Sequence, residues 1–243
     1  MSFFNSFSKH NIINDLSILK VDLHSHIIPD IDDGSNSIEE SLEIINELHR
    51  LGYKKIIATP HIMGDNFENT PEIINNQLIL LQKAVIKADI HVEIIAAAEY
   101  YVDFSFSKLL ESTKLLTFNN NYLLIELPLS HPPLNISELI FKIQTSGYKP
   151  VLAHPERYTY WYDDFSNYTN MVNREVYLQV NINSFSENNP FRKMAEKLAK
   201  KQLINFVGSD THNIKNIEFL NNALSNKHFS KLLLSGKLLN NLL

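Results

Sequence analysis

Seven apolar runs of strand length recur along the chain: Leu19–His24, Lys55–Pro60, Ile90–Ala98, Tyr122–Leu127, Pro150–His154, Tyr177–Asn181 and Asn205–Ser209. Each is rich in Ile, Val or Leu on consecutive positions, as strands covered on both faces of a parallel sheet are. Helical spacing appears between them. Ile38, Leu42, Ile45 and Leu48 lie on one face after a capping box at Ser37 and Glu40, with Gly52 as the stop. Thr70-Pro71 opens a second helix carrying Ile74, Leu78, Leu81 and Val85. Further helices are predicted at Glu138–Ser146, ended by Gly147, at Phe191–Lys201, and along the Leu-rich stretch Asn216–Leu243. Strands alternating with helices predict an α/β barrel with right-handed crossovers, and an open doubly wound sheet is the competing architecture.

Composition narrows the chemistry. The 243 residues are 44% hydrophobic and 20% charged, ordinary for a folded domain. The formal net charge of −5 gives no global basic field to attract nucleic acid or acidic lipid. Cysteine is absent, so disulfides, thiolate catalysis and cysteine-ligated zinc are excluded. The N-terminal segment lacks the features of a signal peptide, and no run reaches the ~20 apolar residues of a membrane span. The expectation is a cytoplasmic protein with a short extension, residues 1–18, before one domain at 19–243.

The candidate chemistry sits at the strand ends, where active sites of both architectures collect. His24 and His26, two residues apart on a strand, share a face and can converge on one ion. Asp32-Asp33-Gly34 follows as an acidic turn able to return a carboxylate. Thr59-Pro60-His61 ends the second strand, Glu99 the third, Glu126 the fourth, His154-Pro155-Glu156-Arg157 the fifth and Asp210-Thr211-His212 the last. Any one of these is more often a satisfied polar group than a ligand. Ligand types at six strand ends together point to a centre for Mn, Fe or Zn, with enough donors for more than one ion. His10, His49, His91 and His228 are read as having ordinary structural surroundings. His131, in Ser130-His131-Pro132-Pro133, is expected to border the site.

In order, the motifs are His-Ser-His at 24–26, Asp-Asp-Gly at 32–34, Thr-Pro-His at 59–61 and Ala-Glu-Tyr-Tyr at 98–101. Ile-Glu at 125–126, Ala-His-Pro-Glu-Arg-Tyr at 153–158 and Ser-Asp-Thr-His at 209–212 follow. This set resembles the polymerase-and-histidinol-phosphatase (PHP) family. Within it, the set is similar to the bacterial manganese-dependent protein-tyrosine phosphatases of capsule and exopolysaccharide biosynthesis (the CpsB and YwqE type), over about residues 19–215. The resemblance implies a distorted (β/α)7 TIM-like barrel of the PHP type holding three divalent ions: manganese, with iron or zinc as alternatives. It places the first ion on His24, His26, Glu99 and Asp210, and the second on Glu99, Glu126 and His154. It places the third on Asp33, His61 and His212. Arg157 matches an arginine that grips the substrate phosphate.

The relatives carry a second phosphate-binding arginine after the last motif. Here Asn213–Ile217 offers only Lys215, a point charge rather than a planar fork. The implied reaction is attack on phosphorus by hydroxide generated at two close ions, with His61 or His212 as candidate acids. The implied partner is a phosphotyrosine protein, such as the tail of a bacterial tyrosine kinase. Alternatives are a histidinol-phosphate or other small-molecule phosphatase, a metal-dependent nuclease, and a non-catalytic metal-binding interaction protein.

Overall fold

A computed structural model describes residues 13–112 and 114–243; residues 1–12 of the expected extension, with His10, lie outside the described residues. Leu16, within the stretch read as extension, is fully buried in the main core. Its N–H bonds to the Leu51 carbonyl at 2.7 Å.

The first strand is β1 (Val21–Asp22), followed by α1 (Ile38–Arg50). Ser37 caps α1 by accepting from the Glu40 N–H at 3.1 Å, while the Glu40 carboxylate reaches one residue further back than a capping box requires, to the Asn36 N–H at 2.9 Å. Gly52 stops the helix with φ 103°, a conformation costly for any other residue, and a Cβ there would meet Ser17 at 2.6 Å. The second strand is broken into β2 (Lys55–Ala58) and β3 (His61–Ile62) by Thr59-Pro60, where proline has no N–H for the ladder. α2 (Pro71–Lys87) begins on a Thr70 cap and buries Ile74, Leu78, Leu81 and Val85.

The third strand is also broken, into β4 (Glu93–Ala96) and β5 (Glu99–Tyr101). Then come α3 (Phe104–Ser112), β6 (Tyr122–Glu126), α4 (Ile136–Thr145), β7 (Lys149–Ala153) and α5 (Ser166–Asn173). β8 (Tyr177–Asn181), α6 (Arg192–Lys200), β9 (Phe206–Gly208), α7 (Asn216–Ala223) and α8 (Lys227–Leu233) complete the chain.

Every ladder is parallel, in the orders β1-β2-β4 and β3-β5-β6-β7-β8-β9. Hydrogen bonds bridge the two breaks: Thr59 N–H to Ser25 O at 2.8 Å, Ala97 N–H to Ala58 O at 2.8 Å and Glu99 N–H to Pro60 O at 3.2 Å. β2 with β3, and β4 with β5, are therefore halves of single strands, and the strand count is seven. The ring closes between the segments after β1 and β9. Asp210 N–H bonds His24 O at 2.7 Å, His26 N–H bonds Thr211 O at 2.9 Å, and Ser25 pairs with Thr211 in a parallel bridge. The fold is a distorted seven-stranded (β/α) barrel, not an open sheet.

Its interior is filled below the rim by Val21, Leu23, Ile57, Ala97, Leu124, Val151, Ala153 and Phe206, with Phe118 packed edge-on to Phe206. The alternate residues Ile56, Leu123, Ile125 and Leu152 face outward under the helices. That period of two is why the strands read as unbroken apolar runs.

One expected helix divides, and two helices were not expected. The predicted C-terminal helix over Asn216–Leu243 is two short helices and a 3-10 turn, because Asn226 caps α8 and Gly236, at φ 67°, turns the chain away beyond it. α3 and α5 escape the periodicity, being only 9 and 8 residues long. The start of α3 is signalled by Asp103, whose carboxylate accepts from the Ser105 and Phe106 N–H groups.

The seam supplies a test. Asp22 is buried and accepts from Ser209 N–H at 2.8 Å and Ser209 Oγ at 2.6 Å. Asp22→Ala strands the Ser209 N–H and leaves its hydroxyl only the His24 carbonyl at 3.1 Å, so chemical denaturation is expected to show about 1–3 kcal/mol of lost stability. An unchanged midpoint would mean that the seam does not rest on this pair.

Candidate metal centre

The strands deliver their terminal side chains to one place. His24 and His26 leave the end of β1, His61 begins β3, Glu99 begins β5, Glu126 ends β6, and His154 and Asp210 follow β7 and β9. His154 and Asp210 turn off their strands in left-handed backbone, φ 33° and 49°. Such a conformation costs a non-glycine residue of order 1–3 kcal/mol and clusters at functional sites.

The geometry around His24 is dense. Its Nε2 lies 3.2 Å from His26 Nε2, 3.1 Å from Glu99 Oε2 and 3.3 Å from Asp210 Oδ1. His26 Nε2 lies 3.4 Å from Glu99 and 3.5 Å from Asp210. The far side of each ring decides what these atoms present. His26 Nδ1 donates to Asp32 at 2.7 Å, and a carboxylate only accepts. His24 Nδ1 faces Gln179 Oε1 at 2.9 Å. With both Nδ1 atoms protonated, the two inner Nε2 atoms and two carboxylate oxygens face one point. Nothing but positive charge satisfies that arrangement, and a divalent cation fits it.

The other candidates adjoin. His154 Nε2 is 3.1 Å from Glu99 Oε1 and 3.6 Å from Glu126 Oε1. His61 Nδ1 is 3.4 Å from Glu99 Oε2 and buried with no hydrogen-bond partner, an orphaned atom that suits a ligand. Asp33 Oδ1 is 3.6 Å from His61 Nε2 and 3.4 Å from His212 Nε2. Among the described residues three groups have donor atoms close enough to share an ion: His24, His26 and Glu99; His61, Glu99 and Glu126; and His26, Asp33, His61 and His212. His26 and His61 each stand between two groups, a closer interlocking than the one-ion-per-set division taken from the resemblance.

Electrostatics follows the same logic. Burial opposes charge on Glu99 and Asp210, yet His24 and its neighbours hold both carboxyls well below the usual range. Burial likewise opposes charge on His24, but Glu99 and Asp210 outweigh it and raise its pKa to about 9. Burial, reinforced by Glu99, lifts Glu126 to about 8, and burial, reinforced by Arg157, lowers His154 to about 4.

A cavity of about 480 Å³ opens over the cluster, lined among others by Phe67, Tyr101, Leu129, Ser130 and Arg157. The Arg157 side chain is partly exposed, and its Nη1 is 3.4 Å from Asp210 Oδ2. Lys215 stands exposed at the start of α7 and does not line the cavity. His131 is exposed beside Ser130, so the loop borders the site through Leu129 and Ser130 instead. Sequence reasoning passed over Asp32, Gln179 and Asn181, which hydrogen-bond His26, His24 and Asp210, and Phe67, which stacks on His61 at 5.7 Å. The hydrophobic pattern carried no signal for the amides. Asp32 stood in the noted acidic turn, but nothing there distinguishes its buried role from that of Asp33.

A parallel barrel with a histidine–carboxylate cluster on its C-terminal rim defines a metal-dependent hydrolase scaffold of the PHP kind. The sequence profile described as "Capsular polysaccharide synthesis, CpsB/CapC" matches residues 20–219, and the chain belongs to that family. It is 32% identical over 202 residues to the tyrosine-protein phosphatase YwqE of Bacillus subtilis, covering 82% of this chain and 80% of that one. It is 28% identical to the putative tyrosine-protein phosphatase CapC of Staphylococcus aureus, covering 85% and 82%. Among solved structures, a chain from the work on YwqE of Bacillus subtilis and CpsB of Streptococcus pneumoniae, described as metal-dependent tyrosine phosphatases, superposes with a TM-score of 0.80 at 30% identity. It covers 88% of this chain and 90% of that one.

Protons and cations compete for this cluster. His24 near 9 and Glu126 near 8 are both protonated at pH 7 when no cation is bound, so binding must expel protons. Affinity for a divalent ion is expected to rise with pH up to about 9. Calorimetry at pH 7 in buffers of different ionisation enthalpy checks this. Heats independent of the buffer would contradict the assignment.

Proposed function

We propose that the protein is a metal-dependent protein-tyrosine phosphatase of capsule or exopolysaccharide biosynthesis. Its substrate is phosphotyrosine on a protein, and the tail of a bacterial tyrosine kinase is the partner we favour. The observation that carries this reading is the convergence of nine His, Asp and Glu side chains at the barrel rim, beside Arg157, in a member of this family. One domain is taken over residues 19–243, with Leu16 of the preceding segment packed into its core, and the location as the cytoplasm. Among the described residues no helix is long and apolar enough to cross a membrane.

The assignment is three ions, manganese in our reading: one on His24, His26, Glu99 and Asp210, one on Glu99, Glu126 and His154, and one on Asp33, His61 and His212. Divalent ions in such a cluster supply a hydrolytic nucleophile from water at neutral pH and neutralise phosphoryl oxygens. The chain's own groups do the rest. Arg157 offers a planar fork to two phosphoryl oxygens at the cavity wall. Phe67, Tyr101 and Leu129 give the cavity an apolar side for an aromatic ring.

A phenol, with a pKa near 10, leaves with less help from a proton donor than an alkyl alcohol needs. That suits a site in which neither candidate acid is free. His61 faces Asp33 and Glu99, and His212 faces the Asp210 carbonyl at 3.0 Å and Asp33. Both are therefore assigned as ligands. Lys215 acts on the phosphate only through longer-range charge, which solvent and salt screen.

Dialysis against a chelator is expected to abolish hydrolysis of a phosphotyrosine peptide, and Mn2+ to restore it. Histidinol phosphate, assayed beside it, is expected to turn over far more slowly. Preference for histidinol phosphate would move the assignment to a small-molecule phosphatase, and full activity in verified metal-free protein would end the metal mechanism.

Arg157→Ala is expected to lower kcat/KM on the peptide by on the order of tenfold to a few hundredfold, the equivalent of ~1.5–3 kcal/mol for charge-assisted bonds. Lys215→Ala is expected to cost less, and both variants to keep their metal. Loss of metal from Arg157→Ala would make that residue structural.

A further inference from the structure

Gln179 and Asn181, two residues apart on β8, are buried polar side chains on the face that looks into the barrel. Each makes its contacts to the other and to the cluster. Asn181 Nδ2 donates to Asp210 Oδ2 at 2.6 Å, Gln179 Nε2 donates to Asn181 Oδ1 at 2.9 Å, and His24 Nδ1 lies 2.9 Å from Gln179 Oε1. Asp210 Oδ1 lies 3.3 Å from His24 Nε2, so the four side chains form a ring whose last gap, acceptor to acceptor, is the place a cation would fill.

The direction of this ring is forced from one end. Asp210 is an ionised carboxylate and can only accept, so Asn181 must turn its NH2 group to it. The Asn181 oxygen therefore faces Gln179, which must present its own NH2 group. The Gln179 oxygen is left facing His24 Nδ1, which must carry a hydrogen, and it is Nε2 that turns into the cluster and offers a lone pair once a cation displaces its proton. The backbone accommodates the ring at one further point. Gly208 on β9 has no side chain, and a Cβ there would lie 2.6 Å from His24 Cβ and 3.0 Å from Gln179 Nε2.

We infer that Gln179 and Asn181 are positioning residues that form a relay, in which the charge on Asp210 sets the tautomer of His24 and so makes the two work as one ligand pair for a divalent cation. The inference rests on the metal-dependent reading above and extends it to two residues outside the ligand set. The relay makes the amides interdependent. Once either is removed, the other has lost the partner that orients it.

The test is the dissociation constant of Mn2+, measured by equilibrium dialysis with metal content read by mass spectrometry, alongside kcat. Gln179→Met and Asn181→Leu are each expected to weaken Mn2+ binding by on the order of 10–100-fold, the usual effect of losing a group that orients a ligand. The double variant is expected to be no weaker than the worse single one. Fold-losses that multiply in the double variant would overturn the relay.

Gln179→Glu, close to isosteric, gives a second and opposite reading. The introduced carboxylate can still accept from His24, and if Gln179 served His24 alone, Mn2+ affinity would hold or rise. In the relay a carboxylate cannot donate to Asn181, whose amide must then turn its oxygen toward Asp210, and affinity is expected to fall at least tenfold. Affinity equal to or above the parent protein's would overturn the proposal. A parent protein that binds Mn2+ beside variants that bind it equally well removes only the relay. A parent that binds none removes the metal site and the relay together.

Discussion

The structure depends on one electrostatic requirement: the buried carboxylates of Glu99 and Asp210 must meet positive charge. Taking an isolated carboxylate out of water costs several kcal/mol even after the protein relaxes. Glu99 is 1% exposed and Asp210 7% exposed, yet both carboxyls are held well below their usual range. The histidines are what make this possible, either as imidazolium ions or as ligands of a divalent cation held at the same point. Their distances to the carboxylates, 3.1–3.5 Å for His24 and His26, suit either form of charge. The groups behind the rings fix which nitrogen faces the cluster in both forms. Asp32 and Gln179 each take the outer nitrogen, so the inner one carries a proton without a cation and a lone pair with one.

The scaffold pays for that convergence in backbone conformation at two strand ends, His154 and Asp210, and secures each with hydrogen bonds. The Asp210 N–H is held by the His24 carbonyl at 2.7 Å, across the seam of the barrel. The His154 carbonyl accepts from the Arg157 N–H at 2.9 Å, in the 3-10 turn that carries Arg157 to the cavity. Strained turn, candidate ligand and cavity-lining cation are thus one short segment. Behind it, Glu156 is fully buried and accepts from the Asn181 N–H at 2.9 Å and from Ser184 Oγ at 2.8 Å. The end of β8, with its amide pair, is thereby tied to the end of β7.

Much of this was legible from residue order, and the reasons for the remainder are physical. Strands buried on both faces announce themselves as apolar runs, and a His, Asp or Glu at the end of such a run stands out against its surroundings. Gln179 and Asn181 do not stand out, because neutral amides occur throughout soluble chains and carry no charge to mark a site. The broken strands were invisible for another reason. Pro60 lay at the predicted end of a run, where proline is unremarkable, and Ala97-Ala98 fits strand and jog equally well. Lys215 was picked as the cation nearest the last motif in sequence. Its place at the start of α7 turns on a backbone path that spacing does not encode.

Side-chain parity explains how the distorted barrel assembles the cluster. On a strand, residues two apart face the same way, so a ligand should sit an even number of residues beyond an interior apolar residue. Glu126 follows Leu124 in this manner, Glu99 follows Ala97, and His61 lies four residues beyond Ile57. The jogs preserve this relation because β2 and β4 break at the same level. Ala58 pairs with Ala96 before the break and His61 with Glu99 after it, with no change of register. Three candidate ligands abandon the rule: His24 and His26 beyond Leu23, and His154 beyond Ala153. Leu23 and Ala153 both face the interior, yet the next residues, His24 and His154, also enter the cluster. For His154 the left-handed backbone makes the switch. For His24 it comes where the chain leaves β1 after Asp22 and crosses to pair with the segment after β9. The irregularities that distort the barrel are therefore the ones that let β1 and β7 contribute ligands from the positions next to their interior apolar residues.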